Sequence, residues 1–123
     1  MKPAQKFVLS ALFTVFTLLS YSSAWAHATL KSATPAKDAE VTTPTKEITL
    51  KFNENLEAAF SNAKLVDSTG KEVTAGKATL DAVDPSVMKL AVPALTAGMY
   101  KVEYVGVGHD GHRRKGDYSF TVK

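Results

Sequence analysis

Beyond residue 26, no stretch of ten or more residues carries a helical stripe, and the apolar residues recur instead at every second position. Period-two alternation sends neighbouring side chains to opposite faces of an extended chain, so each such segment asks for a sheet with one face in a core and one in water. Ile48, Leu50 and Phe52 alternate with Thr49 and Lys51 in this way. Tyr100, Val102 and Tyr104 share one face of a strand over residues 99–105, and Tyr118, Phe120 and Val122 share one face of another over 118–122. Residues 87–92 form a further strand closed by Pro93, while Pro35 and Pro44 punctuate strand ends. Asp67-Ser68-Thr69-Gly70 is a turn signal between residues 63–66 and 71–73, which predicts a hairpin. The expected fold is all-β, an immunoglobulin-like Greek-key sandwich or barrel of about seven strands. Residues 56–60 could form a short helical turn with Asn53 or Asn55 as its cap. Residues 106–115, rich in glycine and charge, are expected to be a loop joining two core strands.

The first 26 residues have a different logic. Lys2 and Lys6 precede an apolar run of 13 residues, 7–19, that ends in Ser22-Ser23-Ala24-Trp25-Ala26. A positive start, a short apolar middle and small residues at −3 and −1 make a secretory signal peptide, and the run is shorter than the roughly 20 residues a membrane span needs. Cleavage after Ala26 would leave a single domain, residues 27–123, with His27 at its free N-terminus. A cut one or two residues away, or an uncleaved anchor, is the alternative. Removing Lys2 and Lys6 leaves 13 basic against 12 acidic residues, so the basic balance belongs partly to the signal. No basic stripe with interleaved aromatics remains, and Arg113-Arg114-Lys115 is too short to argue for nucleic acid; it is expected to be part of the solvated loop.

Export through its signal would place the chain where disulfides are permitted, yet it contains no cysteine. A metal site here would have to use nitrogen, oxygen or thioether donors. Three histidines remain after cleavage, His27, His109 and His112, and none lies in an apolar strand. A histidine at a free N-terminus offers its α-amine and its imidazole to one ion as a chelate. In Asp110-Gly111-His112, residues two apart can point to the same side of an extended backbone, so a carboxylate and an imidazole can converge, and Gly111 adds no obstruction. Nitrogen donors with a carboxylate in a tetragonal arrangement favour Cu(II), with zinc less well matched. Taken alone, Asp-x-His is more often a solvated turn than a site; the N-terminal histidine changes the balance. His109 is expected to point away from Asp110 and His112, behind the ligands or on the surface, although an irregular loop could swing it in.

The mature start His27-Ala28-Thr29-Leu30 with Ser32 and Pro35, the stretch Ile48-Thr49-Leu50-Lys51-Phe52-Asn53-Glu54, Leu95-Thr96-Ala97-Gly98-Met99-Tyr100, Asp110-Gly111-His112 and Gly116-Asp117-Tyr118-Ser119-Phe120-Thr121-Val122 together resemble the periplasmic copper-binding CopC family, in its short YobA-like form. The resemblance implies a Greek-key sandwich and one Cu(II) per chain, held by His27, Asp110 and His112 in a monomer. It also implies a role in copper homeostasis or resistance without catalysis, and an inner-membrane copper transporter of the CopD type as partner. Some members hold Cu(I) in a methionine-rich loop; here only Met88 and Met99 remain after cleavage, in no Met-x-x-Met cluster, and both are expected to be packing residues. Two rival functions stay open at this point. One is a copper oxidase of the histidine-brace kind built on His27 and His112; the other is a structural sandwich whose histidines are incidental.

Overall fold

The computed structural model describes residues 28–42 and 44–123; the expected signal peptide and His27 lie outside the described residues. Eight strands follow one another: β1 (Leu30–Thr34), β2 (Glu40–Val41), β3 (Glu47–Phe52), β4 (Asn62–Val66), β5 (Thr79–Leu80), β6 (Val87–Ala91), β7 (Gly98–Val107) and β8 (Arg113–Val122). They form two four-stranded sheets, β1-β3-β6-β5 and β2-β8-β7-β4. Every pairing is antiparallel except β2 with β8. The chain crosses between sheets after β1, β2, β3, β4 and β6, which gives the Greek-key sandwich that the alternation predicts.

The core is the inward half of each alternating pattern. Ile48, Leu50 and Phe52 of β3 and Met88 and Leu90 of β6 face Leu65 of β4, Tyr100 and Val102 of β7 and Phe120 of β8, all almost fully buried. Phe52 meets Tyr104 edge-on across the two sheets, with ring centroids 5.7 Å apart, while Tyr100 stacks on its cross-strand neighbour Phe120 within one sheet at 5.9 Å. Tyr118 is buried in the same core, and burial pushes its phenol well above the usual tyrosine range.

Three expectations are corrected. The connection between β7 and β8 is shorter than residues 106–115, because these strands stay in register from Gly98↔Val122 to Val107↔Arg113. Arg113-Arg114-Lys115 is therefore strand: its backbone completes a ladder while its side chains stay in water. Met99 is 58% exposed at the start of β7 and packs nothing into the core, unlike Met88. Residues 57–61 do make one turn, with Phe60 and Ser61 both donating to the Glu57 carbonyl, but Asn53 is not its cap. The Asn53 side chain instead accepts a 2.7 Å bond from the Thr29 amide.

The ends of the sandwich differ in content. At one end lie the start of β1, the end of β3, the start of β4, the end of β7 and the start of β8. This end holds the described histidines and the Asp110 carboxylate singled out from the sequence as possible metal donors.

Candidate metal centre

The β7–β8 hairpin closes through Gly108-His109-Asp110-Gly111-His112. The Gly111 amide donates to the Gly108 carbonyl at 3.0 Å, and Gly111 sits at φ +78°, a conformation that glycine reaches at no steric cost. Asp110 locks the turn from inside: its Oδ1 accepts from the His112 amide at 2.9 Å. Its other oxygen, Oδ2, lies 2.9 Å from Nδ1 of the His112 ring. The turn thus does what the Asp-x-His spacing suggests, through a glycine-permitted turn instead of an extended chain.

That separation has a chemical meaning. Two donors each about 2.0–2.1 Å from one ion and at right angles lie about 2.9 Å apart. Asp110 Oδ2 and His112 Nδ1 are spaced as neighbouring ligands on one ion would be, while in the metal-free molecule the same contact is a hydrogen bond that holds the ring in place.

A third group stands beside them. Glu54 follows β3, and its Oε1 is buried without a hydrogen-bond partner among the described residues. A buried carboxylate oxygen without a donor is costly, so its position favours a cation. Gly108 makes this approach possible: a Cβ there would lie 1.6 Å from Glu54 Oε1 and 3.5 Å from Asp110 Oδ1. The sequence quoted Glu54 only as part of a family-like stretch; the signal that could have found it is Gly108 at the end of a strand, where a missing side chain often marks a close approach.

The start of the described chain comes to the same place. Ala28 is fully buried, and Thr29 and Asn53 exchange two bonds, Thr29 N to Asn53 Oδ1 at 2.7 Å and Asn53 N to the Thr29 carbonyl at 3.0 Å. A bulge in the β1–β3 pairing between Leu30 and Ser32 follows. Asn53 is next to Glu54, and Leu56 bridges to Gly108, so the residue after His27 is anchored on the segment that carries Glu54. Among the described residues, no three His, Asp or Glu side chains cluster closely enough to hold a metal by themselves. Asp110 and His112 are brought together; His27 lies outside the described residues. His109 is turned away from both, its Nδ1 against the Glu57 carboxylate in the turn after β3.

Comparison with known proteins agrees with this architecture. The CopC domain model matches residues 30–123. Protein YobA of Escherichia coli K12 is 38% identical over 116 residues, 92% of each chain, and the copper resistance protein C of Pseudomonas syringae pv. tomato is 40% identical over 118 residues, 91% of this chain and 92% of that one. Among solved structures, CopC from Methylosinus trichosporium OB3b superposes with a TM-score of 0.74 at 35% identity, covering 79% of this chain and 94% of that one. PcoC of Escherichia coli, described as a methionine-rich copper resistance protein, superposes with a TM-score of 0.71 at 38% identity, covering 80% and 100%. With its family model spanning nearly all of the described domain and relatives of this identity along most of their length, the chain belongs to the CopC family.

Proposed function

We propose that this protein holds one Cu(II) ion at the end of the sandwich where β7 meets β8, and carries or sequesters it in the periplasm without acting on it chemically. The ligands in this reading are Asp110, His112 and His27, the last through both its α-amine and its imidazole, with the Glu54 carboxylate completing the negative charge around the ion. The observation that supports it most is the Asp110–His112 pair, held 2.9 Å apart on a locked turn beside a carboxylate oxygen that has no donor among the described residues. The names of the relatives, copper resistance proteins among them, point to the same metal. Donor chemistry agrees, since imidazole, amine and carboxylate in a tetragonal set suit Cu(II), and the chain offers no thiolate.

The methionine-rich description of PcoC marks a contrast. Of the two methionines beyond residue 26, Met88 is sealed in the core and Met99 lies at the opposite end of β7 from Asp110 and His112, so neither serves this site. The proposed cargo is therefore Cu(II) alone. Release goes to a membrane copper transporter of the CopD type, and the carrier acts as a monomer.

Copper titration followed by electron spin resonance tests the reading. One saturating nitrogen- and oxygen-ligated site is expected, and it should be lost in Asp110→Ala and in His112→Ala. Absence of a stoichiometric site would leave a structural sandwich; sustained hydrogen peroxide production by the copper-loaded protein with a reductant would make it an oxidase.

A further inference from the structure

The metal end of the sandwich has a neighbour that the ligand set does not use. Phe60, on the turn after Leu56, is 69% exposed. A groove of about 360 Å³ lined by Phe60, Val107, Gly111 and Arg113 runs beside the Asp110–His112 turn, with Gly111 common to both. Arg113 also lines the adjoining hollow on the outer face of β4, β7 and β8, together with Val105, Lys115 and Lys64. The two depressions make one surface: apolar at Phe60 and Val107, cationic at Arg113 and Lys115, and beginning at the proposed ligands.

Charge decides what this surface can receive. Of the two carboxylates on the outer face, Glu103 is engaged by Lys64 at 3.2 Å and by Lys101 at 3.1 Å, which holds it below the usual carboxylate range. Asp117 lines the same hollow two residues along β8 from Lys115, opposite Glu103, so the two cations nearest the Asp110–His112 turn are left in excess at that side of the face. Among the described residues neither Arg113 nor Lys115 has an ion pair, although both cations sit on the side of the face next to the metal turn. An exposed aromatic beside two unpaired cations is complementary to an acidic segment with an apolar side chain, and the interface cores of protein partners are rich in such aromatic and arginine anchors.

We propose that the groove from Phe60 across Arg113 to Lys115 docks an acidic segment of the protein that receives the metal, so that the acceptor's own ligands arrive beside His112. The assignment rests on the metal-holding reading of Asp110 and His112, but docking itself needs no metal. Phe60 seats the apolar residue of the segment, and Arg113 and Lys115 take its carboxylates and steer its approach.

The test uses the metal-free protein, labelled with nitrogen-15, and two peptides, Ac-Asp-Glu-Leu-Asp-Glu-NH2 and its Asn/Gln counterpart. The acidic peptide should shift the amides of Phe60, Val107, Gly111, Arg113 and Lys115, and bind at least about fivefold more tightly than the neutral one, with the difference shrinking in salt. The double variant R113E/K115E should lose that preference while copper still titrates to one site; K31E/K37E, which reverses cations elsewhere, should keep it. Equal binding of both peptides, shifts away from the groove, or equal loss in K31E/K37E would overturn the proposal. So would binding of phosphatidylglycerol vesicles that depends on Phe60 and Arg113 with no peptide binding, which would make the surface a membrane contact. Failure of copper titration with intact peptide binding would strike the metal reading alone.

Discussion

Two aspartate-anchored turns close opposite ends of the same sheet, and they spend their carboxylates differently. After β4, Asp67 Oδ1 accepts from the Thr69 amide at 2.9 Å, the Thr69 hydroxyl at 2.6 Å and the Lys71 amide at 3.1 Å. These bonds, the Thr69 hydroxyl first, hold its carboxyl below the usual range, and the turn satisfies itself. After β7, Asp110 gives one oxygen to the His112 amide and turns the other to the His112 ring, next to a Glu54 oxygen that has no donor among the described residues. The first turn is finished by its own backbone and the Thr69 hydroxyl. The second keeps a carboxylate and an imidazole side by side at the end of the hairpin, and under the proposed reading that difference separates a structural turn from a metal-holding one built on the same residue type.

Exchanging the two roles gives the largest expected effect. His112→Ala should weaken Cu(II) binding beyond the roughly 10–100-fold typical of residues that merely support ligands, with the thermal midpoint nearly unchanged. Asp67→Ala should do the reverse, lowering the midpoint by several degrees and leaving copper affinity intact. Isothermal titration and thermal unfolding on both variants read the two effects side by side.

Glu54 sharpens the comparison next. Glu54→Gln should weaken copper about tenfold yet hold or raise the midpoint of the metal-free protein, because a buried charge with no donor among the described residues is removed. Gly108→Ala should copy the copper defect, since its new methyl group would occupy the position of Oε1. A variant at Gly108 with full affinity would detach Glu54 from the site.

The smallest effect concerns acid stability. Lys51, first, and then Ser86 hold the Asp84 carboxyl down to about 2. Its folded pKa lies below the unfolded value near 3.9, so the unfolded chain binds more protons between them and stability rises with pH in that window. The contribution is complete above about pH 4 and fades as pH falls through about 2. Urea midpoints of the protein and of Asp84→Asn should differ above that window and converge below it.

The fold was largely legible because alternation reports burial directly: Ile48, Leu50 and Phe52 face inward as their spacing requires, as do Tyr100, Val102 and Phe120. Strand ends were harder. Arg113 and Lys115 look like loop because charge signals water, but the outer face of a strand is also water, and their backbone pairing with Val107 and Val105 is a tertiary fact. Met99 was misplaced for the converse reason, an apolar residue on the outward parity of β7. At the site, Asp110 and His112 could be paired by spacing. Glu54 could not, being 56 residues from Asp110 and joined to it only by the close approach over Gly108.

The central claim is that cleavage creates a ligand, and comparing Cu(II) affinity and spin-resonance spectra of two chains tests it most directly. One begins at His27 and the other carries a single extra residue before it, which turns the α-amine into an amide. The chain beginning at His27 should bind tightly, with affinity falling as pH drops below the amine's ordinary pKa of about 7.7–8.0. The extended chain should bind far more weakly, with an altered spectrum. Identical affinity and spectrum in the two would contradict ligation by the His27 amine.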